Sequence, residues 1–175
     1  MANEFYALLG RMRYITRWGL MRNSFSENIQ EHSHQVAVLA HALALIRREI
    51  LHLPGPDPER CAVAALYHDA SEILTGDMPT PIKYYNPQIR DSYKQVEQVA
   101  CDKLLHMLPR ELQPDYEAAL RPADPAVEEL KAGNGEFRAA AEQTRQALER
   151  MDLPEVKYFC DNFLGSFSLT LDEME

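Results

Sequence analysis

Glycine is scarce in this sequence, with 7 in 175 residues, and runs of β-branched residues are few. Both shortages disfavour sheet and leave helix as the expected local structure. The cysteines, Cys61, Cys101 and Cys160, are odd in number, far apart and without a C-x-x-C pair. That argues against a disulfide framework or a thiolate metal cluster, and reads as buried thiols in a reducing cytoplasm. No apolar run approaches the roughly 20 residues of a membrane span. Near the start, Glu4, Arg11 and Arg13 interrupt any apolar core of a signal peptide. Positive charge is also short. The net charge of −9 argues against a nucleic-acid polymer as partner. It leaves room for a small phosphate ester, which needs only a local cationic pocket.

The composition supports one ordinary domain spanning residues 1–175, with 46% hydrophobic residues for its core. Phe5, Leu8, Leu9, Met12 and Ile15 follow a helical period within a helix predicted from Asn3 to Trp18. A second helix is expected from Ser26 or Asn28 to Ile50, with Val36, Leu39, Leu43 and Ile46 inward. Leu53-Pro54-Gly55-Pro56 breaks the chain, and Asp57-Pro58 reads as an N-cap followed by proline in the first turn. The helix it opens is expected to run on to Ile73. After a proline-stiffened loop from Thr75 to Tyr85, Asn86-Pro87 caps a long helix with Ile89, Tyr93, Val96, Ala100 and Leu104 on one face. Gly133-Asn134-Gly135 reads as a stop and restart, Glu136 to Met151 as a further helix, and Val156, Phe159 and Phe163 lie in register on the last one. The expected fold class is all-α, a globule of short-looped helices.

The chemistry concentrates in Tyr67-His68-Asp69-Ala70-Ser71-Glu72 and the Asp77 that follows. On a helix His68 and Glu72 are i,i+4 neighbours, and Asp69 and Glu72 are i,i+3 neighbours. Three carboxylates beside an apolar run are costly unless a cation neutralises them, and a metal ion with nitrogen and oxygen ligands does so. A second imidazole comes from Glu31-His32-Ser33 on the preceding helix. His34 and His41 stand about 200° and 180° round that helix from His32 and cannot share its face. His68 and Asp69 are adjacent, so their side chains diverge by about 100° along a helix. Both can reach one ion only near a helix end. Taken alone, each residue has a plainer reading: a helix-end histidine, a surface glutamate, a core tryptophan.

A His on one helix and His-Asp on the next, with Glu shortly after, resembles the HD-domain metal-dependent phosphohydrolases. Arg17-Trp18, Leu20-Met21-Arg22-Asn23, Glu31-His32-Ser33, Tyr67-His68-Asp69-Ala70-Ser71-Glu72 and Thr75-Gly76-Asp77-Met78-Pro79-Thr80-Pro81-Ile82-Lys83-Tyr84, in this order, look like the bacterial 5'-deoxynucleotidase branch. The resemblance implies a cytoplasmic, homodimeric HD-domain hydrolase that cleaves deoxyribonucleoside 5'-monophosphates to deoxynucleoside and phosphate. It implies one divalent ion on His32, His68 and Asp69, with a further Asp as fourth ligand. Cobalt, manganese, copper, nickel, iron and zinc all suit such a donor set. The implied catalytic residues are Glu72 for proton transfer, and Arg17 and Trp18 for gripping and orienting the phosphate. His32, Asp69, Asp77, Met78, Pro79 and Thr80 complete the implied substrate contacts. Two other readings stand beside this one: an HD hydrolase for a cyclic, triphosphate or signalling nucleotide, and a non-catalytic HD-like binding module.

The sequence departs from the family pattern at Ala123-Asp124-Pro125-Ala126-Val127-Glu128-Glu129-Leu130. The Ala-Asp pair and the Glu-Glu-Leu block are both present, but they nearly abut, where the family separates them by several helical turns. Asp124 before a proline reads as an N-cap rather than a mid-helix ligand. Three readings stay open: Asp124 is the fourth ligand reached from a cap, the site has three protein ligands, or a helical segment is missing near 121–128.

Overall fold

The computed structural model describes residues 4–17, 26–83, 85–121 and 152–164. Among these the regular elements are helical, joined by one isolated antiparallel bridge between Thr16 and Asn28. The helices are α1 (Phe5–Leu9), α2 (Ile29–Leu45), α3 (Pro58–Tyr67), α4 (Glu72–Thr75), α5 (Thr80–Lys83), α6 (Pro87–His106), α7 (Gln113–Leu120) and α8 (Pro154–Asn162). The all-α expectation holds. The chain divides into two compact units, one of residues 1–35 and 66–122, the other of residues 36–65 and 123–175.

The first unit packs Phe5, Ala70, Cys101, Leu104, Leu105, Leu108 and Leu120 into one cluster. Phe5 and Leu104 are fully buried, and side chains of that size contribute about 1.5–3 kcal/mol each when buried. Edge-on contacts of Phe5 with Tyr6 and Tyr116, and of Tyr67 with Tyr116, tie α1 to α3 and α7. The second unit buries Val36, Ala40, Leu43, Ile46, Cys61, Ala64, Val156 and Phe159. There Arg47 donates to both oxygens of Glu155, at 2.8 and 3.0 Å, and to the carbonyl of Pro54 at 2.8 Å. Both bonds to the carboxylate come from Nη1, and they satisfy a group that is otherwise fully buried. Cys61, Cys101 and Cys160 are free thiols, the first two buried and the third partly so.

Several predicted boundaries shift. The first helix is α only to Leu9, tightens to a 3₁₀ turn at Gly10–Tyr14, and gives way to extended chain at Ile15. The second keeps its length, but its last turn, Ile46–Ile50, has the wider π spacing. The third stops at Tyr67 rather than Ile73. A short helix, α5, stands where a loop was predicted. On α6 the inward face is Tyr93, Ala100, Cys101, Leu104 and Leu105. Val96 is half exposed and Ile89 lies at the surface, because the helix turns Glu97 rather than Val96 toward its neighbour. Phe163 is likewise exposed, while Val156 and Phe159 are buried. The predicted helix at 136–151 lies outside the described residues.

Candidate functional site

Two local devices hold the first arm of the site. Asn28 caps α2 by accepting from the backbone N–H of Gln30 and Glu31, at 3.1 and 3.0 Å, while Glu31 reaches back to the N–H of Asn28 at 3.4 Å. This reciprocal box fixes the first turn and sets His32 at its end. Just before the cap, Arg17 N–H donates to Glu27 O at 2.8 Å, and Ile29 N–H to Ile15 O at 3.0 Å. The bridge pins Arg17, on its short extended segment, beside the start of α2.

The second arm is the turn after α3. Ala70 N–H bonds Tyr67 O at 3.0 Å, and Glu72 N–H bonds Asp69 O at 3.0 Å. These three-residue steps end the helix at the residue before His68. The pair His68-Asp69 therefore sits just past a helix end, where adjacent side chains can converge. The same turn carries the chain into α4, so Glu72 reaches the site from a new helix and not from one turn further along α3. Gly76 closes α4 at φ 75° and ψ 162°, a conformation essentially restricted to glycine. A β-carbon there would touch nothing within 4 Å, so the requirement comes from the backbone and not from space.

The side chains converge on Asp69 Oδ2. Arg17 Nη1 donates to it at 3.2 Å, His68 Nε2 lies at 3.1 Å, and His32 Nε2 at 3.7 Å. The two imidazole centroids are 5.2 Å apart. One donor atom from each of His32, His68 and Asp69 falls within 4.8 Å of the others, the spacing of groups able to hold one metal ion. Burial works against the Asp69 charge, but His68, His32 and Arg17 outweigh it and hold the carboxyl down to about 2. Glu72 goes the other way. Burial, then the charges of Asp69 and Asp77, push it up to about 9. Its Oε2 is buried with no hydrogen-bond partner among the described residues. A cluster with two imidazoles, an ionised aspartate and an unsatisfied carboxyl oxygen fits a divalent ion.

The wall beyond is held by α6. Tyr93 OH donates to Gly76 O at 3.2 Å and lies 3.3 Å from Thr75 Oγ1. Lys83 on α5 meets Glu97 at 2.7 Å, with its ammonium 4.8 Å from the Tyr93 ring centre. Asp77, Met78 and Pro79 run between these anchors, each partly buried. Pro79 O accepts from Ile82 and Lys83 at 2.9 and 3.0 Å, which starts α5. Of the residues singled out from sequence, Arg17, His32, His68, Asp69 and Glu72 come together, and Asp77 acts on Glu72 by charge. His34 is exposed, and His41 is partly buried along α2. Trp18, Asp124 and the side chain of Thr80 lie outside the described residues. Sequence reasoning missed Glu27, Tyr93 and Glu97. Tyr93 gave only a core signal and Glu97 none, because their partners lie in other elements.

The chain matches the family described as 5'-deoxynucleotidase YfbR-like, over residues 4–126 and 125–167. It is 47% identical to a 5'-deoxynucleotidase of Photobacterium profundum across 98% of each chain. It is 46% identical to one of Pectobacterium atrosepticum, covering 98% of this chain and 96% of that one. The first of these alignments spans 191 positions against 175 residues here, so the relative carries residues with no counterpart in this chain. The two family segments meet at residues 125–126, next to Asp124. Among solved structures, the fold is similar to an HD-domain phosphohydrolase of Listeria innocua, with TM-score 0.74, 20% identity, and 93% of this chain and 87% of that one covered. It is also similar to an HD phosphohydrolase of cyanophage S-2L, described with dA and one catalytic Zn2+ ion, with TM-score 0.64, 20% identity, and 91% and 96% covered.

Proposed function

The chain belongs to the YfbR-like 5'-deoxynucleotidase family, and from that premise we propose how its residues divide the hydrolysis of a deoxyribonucleoside 5'-monophosphate to deoxynucleoside and phosphate. The observation that carries the reading is the convergence of His32, His68 and Asp69 donors within 4.8 Å of one another. These three residues hold one divalent transition ion, drawn from cobalt, manganese, copper, nickel, iron or zinc. When bound, such an ion supplies Lewis acidity toward the phosphoryl oxygens and makes water acidic enough to attack near neutral pH.

The protein's own groups do the rest. Arg17, already aimed at the pocket, pairs its planar guanidinium with two phosphoryl oxygens, and Trp18 helps to orient them. Glu72, raised toward neutrality by burial and by Asp69 and Asp77, keeps a proton to give to the departing 5'-oxygen. Asp77 accepts from the sugar 3'-hydroxyl. Met78, Pro79 and Thr80 would lie along the sugar and base, on a segment leading into α5 whose ends are fixed by Tyr93 and by the Lys83–Glu97 pair. His32 and Asp69 touch the phosphate as well as the ion. Asp124 is the candidate for a fourth ligand. The working unit is a single HD domain, assembled as a homodimer and acting in the cytoplasm. None of the described helices is long and apolar enough to cross a membrane.

The test is phosphate release from a panel of deoxyribonucleoside and ribonucleoside 5'-monophosphates with each divalent metal in turn. The deoxy series is expected to release phosphate and the ribo series to lag. No release from folded protein with any metal would sink the proposal.

A further inference from the structure

Glu27 belongs to none of the motifs above, yet its carboxylate stands between two residues of the site. It is 7% exposed. Its Oε1 lies 3.7 Å from His32 Nδ1, and its Oε2 lies 3.9 Å from Arg17 Nε. Its backbone is fixed on both sides, by the Arg17 N–H bond to its carbonyl at 2.8 Å and by the Asn28 cap that follows. A carboxylate kept from water needs charged or donating partners. Among the described residues, the groups within ion-pair reach of it include the ring of one proposed metal ligand and the guanidinium proposed to bind phosphate.

His32 turns its other nitrogen, Nε2, toward Asp69 at 3.7 Å. An imidazole that binds a metal through one nitrogen usually donates the N–H of the other to a carboxylate or carbonyl, which fixes both tautomer and ring angle. We propose that Glu27 is a positioning residue. It holds His32 as the Nδ1–H tautomer, with the Nε2 lone pair facing His68 and Asp69, and its second oxygen aims Arg17 into the same pocket. One buried carboxylate thereby links metal affinity to phosphate affinity. The inference rests on the His32–His68–Asp69 metal reading, and its test is built to fail separately from that reading.

The test uses the full chain with Zn2+ as probe. Affinity is read by competition with a chromophoric chelator, and imidazole tautomers are read from 15N spectra, with the His32 signals assigned by their loss in His32→Ala. Wild type is expected to bind Zn2+ and to show Nδ1–H at His32. Glu27→Ala is expected to bind Zn2+ about 10- to 100-fold more weakly, with a mixed tautomer and weaker binding of inorganic phosphate. Glu27→Gln keeps an acceptor and should recover most of the Zn2+ affinity but not the phosphate affinity. A purely structural role would shift the melting temperature and leave the tautomer alone. If wild type binds no Zn2+, the metal reading falls and this inference with it. If wild type binds and Glu27→Ala matches it within about twofold, with Nδ1–H retained, the role of Glu27 is overturned and the metal reading stands. Should Glu27→Ala fail to fold, Glu27→Met is compared with Glu27→Gln, and equal Zn2+ affinity overturns the proposal. An Nε2–H signal at His32 in wild type overturns it with no variant at all.

Discussion

Asp69 and Glu72 are three residues apart and carry opposite protonation at neutral pH. Asp69 is held down to about 2 despite its burial, because two imidazoles and Arg17 surround it. Glu72 is buried beside two other carboxylates and is pushed up to about 9. Carboxyl groups driven apart in this way divide naturally into ligand and acid. Glu72→Gln is therefore expected to lower kcat by about 10²- to 10⁴-fold while Zn2+ content stays at the wild-type level. Equal loss of Zn2+ would make Glu72 a ligand and not an acid. The clustering of His68, Asp69 and Glu72 was legible from the chain alone, but the i,i+4 helical spacing expected for His68 and Glu72 was not the cause, since Glu72 comes from α4. Glu27 was not legible. Its meeting with Arg17 and His32 depends on the bridge at Thr16 and Asn28, which no periodicity announces.

Among the elements, the turn after α3 decides the geometry. The Asp57-Pro58 cap signal correctly placed the start of that helix, and the expectation carried it too far, to Ile73. What stops it is a run of tight backbone bonds at residues 67–72, which hydrophobic spacing cannot reveal because Ala70, Ser71 and Glu72 are buried anyway. The condition that His68 and Asp69 share an ion only near a helix end was readable, and the backbone meets it. Gly76 then ends α4. Gly76→Ala is expected to cost about 1–3 kcal/mol through its φ alone, read by urea denaturation, and to reduce activity by displacing Asp77. An unchanged unfolding midpoint would show that the turn relaxes. The box at Asn28 makes a smaller claim. Asn28→Ala should cost about 1 kcal/mol and weaken Zn2+ binding through His32, and a stability loss with unchanged Zn2+ affinity would confine the cap to folding.

For the whole molecule, pH acts through the same two carboxyls. Glu72 has its value raised from an ordinary 4.5, so its share of stability is complete below that value and is lost as pH climbs toward 9. Asp69 is lowered from 3.8, so its share is present above that value and is lost only as pH drops toward 2. Chelator-treated protein should accordingly melt at falling temperature as pH rises from about 5 to about 9, and Glu72→Gln should flatten that slope. Added Zn2+ should raise the melting temperature most at the alkaline end, since a bound cation favours ionised ligands. Parallel curves for wild type and Glu72→Gln would place the pH dependence elsewhere. At this scale the all-α class followed from composition and helical period. The connection near residues 121–128 did not, and the match to the family falls into two segments that meet at residues 125–126.

Arg17 shares the Asp69 oxygen on which the two imidazoles converge. A cation proposed to bind at that oxygen would meet a fixed positive neighbour, so its grip there would be set by the balance between the two.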